Sequence, residues 1–154
     1  MDGRAAVKGM KLKGGETLEI RALEEVSDIR IQPNGAVETH CVFEDSALLA
    51  FDKPPAQAVQ PLSRHETNTL LNGVAARWPE VALIGEKGNP LMGGACHRID
   101  TGTSGLVLAG RTQAAFEALR AQFAAQKVEK TYLALVEGRV TAGGTLEGEP
   151  EPKA

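Results

Sequence analysis

The chain has 154 residues, 42% of them hydrophobic and 24% charged, and a formal net charge of −3 at pH 7, as is typical of one ordinary globular domain with a sizeable core. This slightly acidic balance argues mildly against a nucleic-acid partner, although local basic patches rather than total charge bind phosphate. No apolar run approaches the roughly 18 residues of a membrane span, and the N-terminus has no apolar signal core. The two cysteines lack metal-ligand spacing. We therefore expect a protein of the reducing cytoplasm.

The first 39 residues predict one short strand and one turn. The sequence "GGETLEIRAL" places a Gly-Gly turn before alternating apolar and charged residues, a pattern typical of a half-buried strand. The cluster Pro33-Asn34-Gly35 predicts a turn or a linker. We therefore expect a domain boundary between residues 24 and 37.

The next segment predicts a β-hairpin. Two short apolar runs, 41–43 and 48–51, flank a polar tripeptide, as in two antiparallel strands joined by a turn. The second strand should end at Lys53, because the two prolines that follow have no N–H to donate to a sheet.

A helix and a loop should follow the hairpin. Residues 65–78 carry apolar side chains at helical spacing, and Pro79 stands where such a helix would end. Gly73 weakens this helix, although helix remains the better prediction. Residues 82–95 are rich in glycine and predict a loop.

The C-terminal part predicts two strands separated by a helix. Residues 106–109 form a four-residue apolar run typical of a buried strand. The segment 112–126 is the clearest helix, with Thr112 as its N-cap and large apolar side chains on one face. Residues 130–138 alternate as a strand that is apolar on both faces, before a loose Gly-, Glu- and Pro-rich tail. Because strands and helices alternate too irregularly for a doubly wound parallel sheet, we expect an α+β fold.

A charged cluster stands directly before the predicted strand at 106–109. Here His97, Arg98 and Asp100 are followed by Thr-Gly-Thr-Ser-Gly. One interpretation is a surface loop with an exposed ion pair, which would contribute little to stability. A metal site that includes Cys96 is another, although the chain has only three histidines and no second ligand cluster. A serine hydrolase is the third, but Ser104 precedes the strand, whereas a nucleophile elbow follows one.

The fourth interpretation is a single catalytic aspartate. Asp100 would be held by Arg98, and the turn that follows would support the loop. A carboxylate is ionised at pH 7 and serves as a nucleophile or base without activation, but it needs the rigid placement that a strand end provides. The residues alone leave the surface loop and the catalytic aspartate both open.

The sequence "HRIDTGTSGLVLAGRT" resembles the motif His-Arg-hydrophobic-Asp-x-x-Thr-Ser-Gly of the pseudouridine synthase superfamily, in its large-ribosomal-RNA and transfer-RNA branch. Three further segments are similar to motifs of that family in the same order: "VFEDSALLAFDKPPAQAVQP", "HETNTLLNGV" and "VEKTYLALVEG". The resemblance therefore covers residues 41–138. It implies a mixed, mostly antiparallel sheet with flanking helices, and an enzyme that isomerises uridine to pseudouridine in ribosomal or transfer RNA.

The resemblance also implies roles for individual residues. Asp100 would be the catalytic aspartate that attacks or deprotonates the target nucleoside, and Tyr132 would stack on the target uracil. Arg98 would hold the flipped-out nucleotide or pair with Asp100. Lys53 and Lys130 would contact RNA phosphates; the alternative for both is a solvated surface lysine, and for Tyr132 a core position. Since the reaction is an isomerisation, neither a metal nor an organic cofactor is implied.

Finally, the resemblance implies where these residues stand in a complete enzyme. Residues 1–24 resemble the end of an S4-type RNA-binding module, 25–39 form the expected linker, and 40–154 form the N-terminal half of the catalytic domain. A later family motif, Gly-Arg-x-His-Gln-Ile-Arg, has no counterpart in the chain, so we expect a truncated chain with an incomplete sheet, and a monomer when complete. The alternative is a catalytically inactive fragment that acts at most as an RNA- or protein-binding remnant.

Overall fold

A computed structural model provides the coordinates of the chain. It describes residues 9–11, 14–15, 17, 19, 30–86 and 89–145. The strand predicted after the Gly-Gly turn, most of the S4-like segment and the end of the tail lie outside the described residues.

In the part of the chain that the structure describes, three antiparallel strands form the sheet. They are β1 (His40–Glu44), β2 (Leu48–Lys53) and β3 (Gly105–Gly110), in the order β1-β2-β3. The predicted hairpin is confirmed as β1 and β2, with a register irregularity between Cys41 and Phe43. The buried strand predicted at 106–109 is confirmed as β3, which lies beside β2 along its whole length.

Two α-helices of the described residues pack against this sheet. They are α1 (Leu70–Arg77) and α2 (Gln113–Ala124), and a 3-10 helix, Pro79–Leu83, follows α1. The helix predicted over 112–126 is confirmed as α2, and the Thr112 hydroxyl accepts the N–H of Ala115 as the expected N-cap. Together with the antiparallel sheet, these helices confirm an α+β fold.

The first helix begins five residues later than predicted, because a local capping box and main-chain contacts to residues 58 and 59 fix its start. Asn72 Oδ1 accepts hydrogen bonds from the Thr69 N–H at 2.9 Å and from the Thr69 hydroxyl at 2.7 Å. The first N–H groups of α1, on Leu70 and Leu71, donate to main-chain carbonyls of residues 58 and 59. The first four N–H groups of a helix need such partners, and here residues 58, 59 and 69 supply carbonyl oxygens for them.

One hydrophobic core lies between the sheet and α1. Phe51 and Trp78 pack edge to face there, with ring centroids 5.5 Å apart. A second cluster lies under α2 around Phe116. The main core is formed by Ile31, Leu49, Phe51, Val59, Leu70, Leu71, Val74, Ala75, Trp78, Val81, Ala95, Val107 and Ala109.

Residues 31–39, expected as part of a linker, are packed against α1. Ile31 is buried in the main core. The Asn34 N–H donates to the carbonyl of Asn72 at 2.9 Å, and the Asn34 side chain accepts the N–H of Ala36, which confirms the predicted turn. A Cβ atom on Gly73 would lie 2.6 Å from the Val37 carbonyl oxygen. Gly73 therefore permits the close approach of this segment at the expense of helix propensity.

The strand predicted at residues 130–138 is wrong. These residues belong to neither a strand nor a helix, and Leu133 and Leu135 are fully exposed. A strand forms only where a neighbour accepts and donates its main-chain hydrogen bonds, and no described segment lies beside this one to do so. Alternation of apolar side chains therefore does not by itself make a strand. Among the described residues, neither helix has the length and apolar character needed to cross a membrane.

Candidate active site

Asp100 lies in the loop that leads into β3. The loop is closed by a turn in which the Thr103 N–H donates to the Asp100 carbonyl oxygen at 3.0 Å. Both Arg98 and Asp100 are exposed, whereas Ile99 between them packs against the main core. The half-buried isoleucine therefore anchors the loop, and its two charged neighbours face solvent.

A pocket of about 210 Å³ opens at this loop. Both Arg98 and Asp100 line it, so the structure brings together two of the predicted site residues. Neither side chain forms an ion pair or hydrogen bond with another residue of the described chain, so the predicted Arg98–Asp100 pair is not formed. Both remain available to a bound molecule. The pocket is lined by Ala58, Val59, Gln60, Leu62, Glu66, Arg98, Ile99, Asp100 and Thr101.

Lys53 lies in the protein interior, whereas the predicted contact with an RNA phosphate requires a surface position. It is fully buried, and its Nζ donates to the carbonyl oxygens of Pro54 at 2.9 Å, Gln57 at 2.7 Å and Thr101 at 3.3 Å. Burial lowers the pKa of this ammonium group. Since all three donors are already used and no surface is exposed, this geometry does not support a phosphate contact. Lys53 instead connects the end of β2 to the loop that carries Asp100.

The structure does not bring Tyr132 and Lys130 to the pocket. Both lie in the segment after α2, and neither lines the pocket. Tyr132 is 58% exposed in this structure and does not belong to its core, and Lys130 is also exposed. Their exposure leaves both side chains accessible to RNA.

Glu66 is a pocket residue that no pattern in the sequence indicated. Its Oε2 accepts the N–H of Leu62 at 2.7 Å, which holds the carboxylate at the pocket wall. Glu66 stands more than 30 residues before Asp100, and no spacing pattern connects them. Only the packing of the 58–66 segment against the Asp100 loop brings the two carboxylates into one pocket.

The geometry disfavours the metal and hydrolase interpretations of the cluster. Cys96 is buried, and burial raises the pKa of its thiol to about 11, so it is not a ready thiolate ligand. Within the described residues, no three His, Cys, Asp or Glu side chains are grouped to hold an ion. The imidazole of His97 accepts the main-chain N–H of Leu108 and is not hydrogen-bonded to Ser104.

Comparison with known proteins identifies the family. The model of the RNA pseudouridylate synthase family matches residues 47–153. The ribosomal large subunit pseudouridine synthase D of Pseudomonas aeruginosa is 33% identical over 152 residues, which cover 95% of this chain and 45% of that protein. The protein of the same name from Xanthomonas campestris is 32% identical over 147 residues, covering 96% and 42%.

A third relative is an uncharacterised RNA pseudouridine synthase of Bacillus subtilis, 30% identical over 149 residues that cover 96% of this chain and 47% of that protein. The chain thus spans somewhat less than half the length of these relatives. A family model that covers residues 47–153 includes the hairpin's second strand, the pocket and the Asp100 loop. The chain belongs to the RNA pseudouridylate synthase family.

Proposed function

We propose that this chain, as part of a protein with the full length of its relatives, catalyses the isomerisation of uridine to pseudouridine in structured RNA. Ribosomal RNA is the first candidate substrate, because two of the relatives above are named for the large ribosomal subunit; transfer RNA is the second. The observation that carries the proposal is the Asp100 carboxylate, exposed beside Arg98 in a pocket and unpaired within the described part of the chain.

The reaction needs no outside reactant. The bond between uracil N1 and the ribose carbon breaks, and the same carbon becomes bonded to C5; C5 loses a proton and N1 gains one. Asp100 supplies the carboxylate that attacks the nucleoside or removes a proton from it. Arg98 also lines the pocket, where its guanidinium is able to hold the negatively charged backbone of the target nucleotide.

The target base has to leave its stack to reach the pocket. Flipping a base costs a few kcal/mol and is the general solution for chemistry on a base within structured nucleic acid. The pocket volume of about 210 Å³ lies below the range of roughly 300–1,000 Å³ typical of drug-sized ligands, which favours a single base over a longer segment.

Tyr132 and Lys130 contribute from the exposed segment after α2 in this proposal. Tyr132 stacks on the uracil, and Lys130 contacts a phosphate, once the segment reaches the bound RNA. The exposure of both side chains supports these roles. We further propose that the complete protein acts as a monomer in the cytoplasm, where the two free cysteines would stay reduced.

The test is Asp100→Asn in a C-terminally completed protein, whose remaining length is taken from the Pseudomonas relative. We expect pseudouridine formation to be abolished and RNA affinity to stay within a few-fold, because phosphate contacts supply most of the binding free energy. Pseudouridine is measured in ribosomal and transfer RNA by nuclease digestion and chromatography.

The matched control is Asp52→Asn, an exposed aspartate on β2 that does not line the pocket. It removes one negative charge, as Asp100→Asn does, and should leave turnover unchanged. Retained turnover in Asp100→Asn would refute the assignment of the catalytic residue. An equal loss of RNA binding would instead assign Asp100 a structural role.

The exposed segment also supports a second candidate for the chain by itself. Tyr132 is 58% exposed, and its segment pairs with none of the described strands. It does not line the pocket. In that state the chain would bind RNA or another protein without catalysis. Comparing pseudouridine formation by the 154-residue chain with that of the completed protein distinguishes the two candidates.

A further inference from the structure

Residues 94–96 extend the sheet along the free edge of β3. The Gly110 N–H donates to the Gly94 carbonyl at 2.8 Å, and the Cys96 N–H donates to the Leu108 carbonyl at 2.9 Å. Between them, Ala95 forms an antiparallel bridge with Ala109. This short ladder ends at residue 96, after which the chain turns away toward the pocket.

The end of the ladder is made by a side chain. In a regular antiparallel pair, the N–H of Leu108 would return a hydrogen bond to the carbonyl of its partner. Here it donates to Nε2 of His97 instead, at 3.2 Å. The imidazole ring also stacks on Phe123 of α2, with centroids 4.5 Å apart and planes 30° apart. His97 therefore joins β3 and α2 at the residue directly before Arg98.

Only the neutral imidazole makes this contact. Nε2 accepts a hydrogen bond through its lone pair, and a protonated ring would present a second N–H to the N–H of Leu108. The surroundings favour the neutral form: burial lowers the pKa of His97, and the positive charge of Lys130 lowers it further. On the other sides of the ring, β3 contributes the uncharged N–H of Leu108, and α2 contributes the apolar ring of Phe123.

We propose that His97 is a positioning residue for the catalytic loop: its neutral imidazole ends the pairing with β3 at residue 96 and fixes the point from which Arg98 and Asp100 project into the pocket. The catalytic consequence rests on the function proposed above. The positioning itself is a property of the fold and is measurable without any RNA.

Two substitutions separate the parts of the contact. His97→Phe keeps a ring against Phe123 and removes the acceptor. His97→Gln keeps an acceptor oxygen near the position of Nε2 at every pH and removes the ring. In the 154-residue chain, His97→Phe should accelerate amide hydrogen exchange at Leu108 about tenfold, as expected for the loss of one hydrogen bond. Exchange at Val107, which pairs with Phe51 on β2, should change much less.

The wild-type chain supplies a measurement that does not depend on whether a variant folds. As the pH falls below 6.5, the ordinary pKa of histidine, exchange at Leu108 relative to Val107 should rise, since protonation removes the acceptor. In His97→Gln the ratio should stay constant over the same range. A ratio that is independent of pH in the wild type, or unchanged Leu108 exchange in His97→Phe, would overturn the proposal.

Turnover in the completed protein tests the catalytic consequence. His97→Phe should lower kcat by on the order of 100-fold with KM within a few-fold, since displacement of a catalytic group by about 1 Å has that effect. His97→Gln should retain more activity than His97→Phe and lose the acid limb of the wild-type pH profile. Equal kcat in His97→Phe and wild type would overturn the positioning role. If the completed wild-type protein forms no pseudouridine, the proposed function is refuted, and the hydrogen-exchange data alone test the role of His97.

Discussion

Replacing Lys53 with methionine tests whether the buried ammonium group holds the active-site loop to the end of β2. Methionine has a similar length and no donor, so the change removes the hydrogen bonds to Pro54, Gln57 and Thr101 without creating a large cavity. In contrast to most lysines, Lys53 has no exposed surface through which water could replace these bonds.

The expected loss of stability depends on which of the three carbonyl oxygens can form a hydrogen bond with water in the variant. Residues 54 and 101 are exposed, so their carbonyl oxygens are able to find water, whereas Gln57 is half-buried and forms the shortest of the three bonds, at 2.7 Å. A buried acceptor left without a donor costs about 1–3 kcal/mol. The variant no longer has a cation to bury, so the free-energy cost of desolvating that charge disappears and offsets part of this loss. We therefore expect Lys53→Met to lower the free energy of unfolding by about 2 kcal/mol.

Urea unfolding at pH 7 measures the change, with Lys127→Met as control. Lys127 is exposed after α2, so the same chemical substitution should alter stability by less than about 0.5 kcal/mol. A second measurement uses pH. Because burial lowers the pKa of Lys53 below 10.5, the unfolded chain binds the proton more tightly, and wild-type stability relative to Lys53→Met should rise as the pH approaches 10.5. A variant as stable as the wild type at pH 7 would refute the reasoning and show that the ammonium contributes no net stability.

Three further predictions concern packing, RNA binding and the chain by itself. Gly73→Ala should lower the free energy of unfolding by about 1–2 kcal/mol, because the clash of the new Cβ with Val37 and Thr39 outweighs the gain in helix propensity. Urea unfolding measures the change, and a variant more stable than the wild type would contradict the packing argument. Tyr132→Phe should retain more RNA affinity in the completed protein than Tyr132→Ala, since stacking is worth roughly 1–3 kcal/mol per base; equal affinities would exclude stacking. In the 154-residue chain, where Tyr132 is exposed, the melting curves of the two variants should coincide. Residues 1–154 alone should form no measurable pseudouridine in ribosomal or transfer RNA, and turnover similar to the completed protein would refute that expectation.

Local patterns in the sequence determined most of the secondary structure. The hairpin of β1 and β2 followed from two apolar runs around a polar turn, and its end from the prolines after Lys53. The helix α2 followed from helical periodicity together with its N-cap, Thr112. These signals are local because backbone geometry, capping and amphipathic spacing all act within one or two turns of chain. The motif around Asp100 is equally local, and it indicated the family that the match over residues 47–153 confirmed.

Only the tertiary structure decided which polar groups meet. Nothing in the sequence placed Glu66 beside the Asp100 loop. Nor did the sequence indicate that Lys53 is buried and donates to three main-chain carbonyls. The segment around Tyr132 illustrates the converse: its alternation is that of a strand, but strand formation depends on a neighbouring main chain, and none of the described residues supplies one. Burial, hydrogen-bond partners and strand pairing are properties of segments far apart in sequence, so they emerge only when the chain packs.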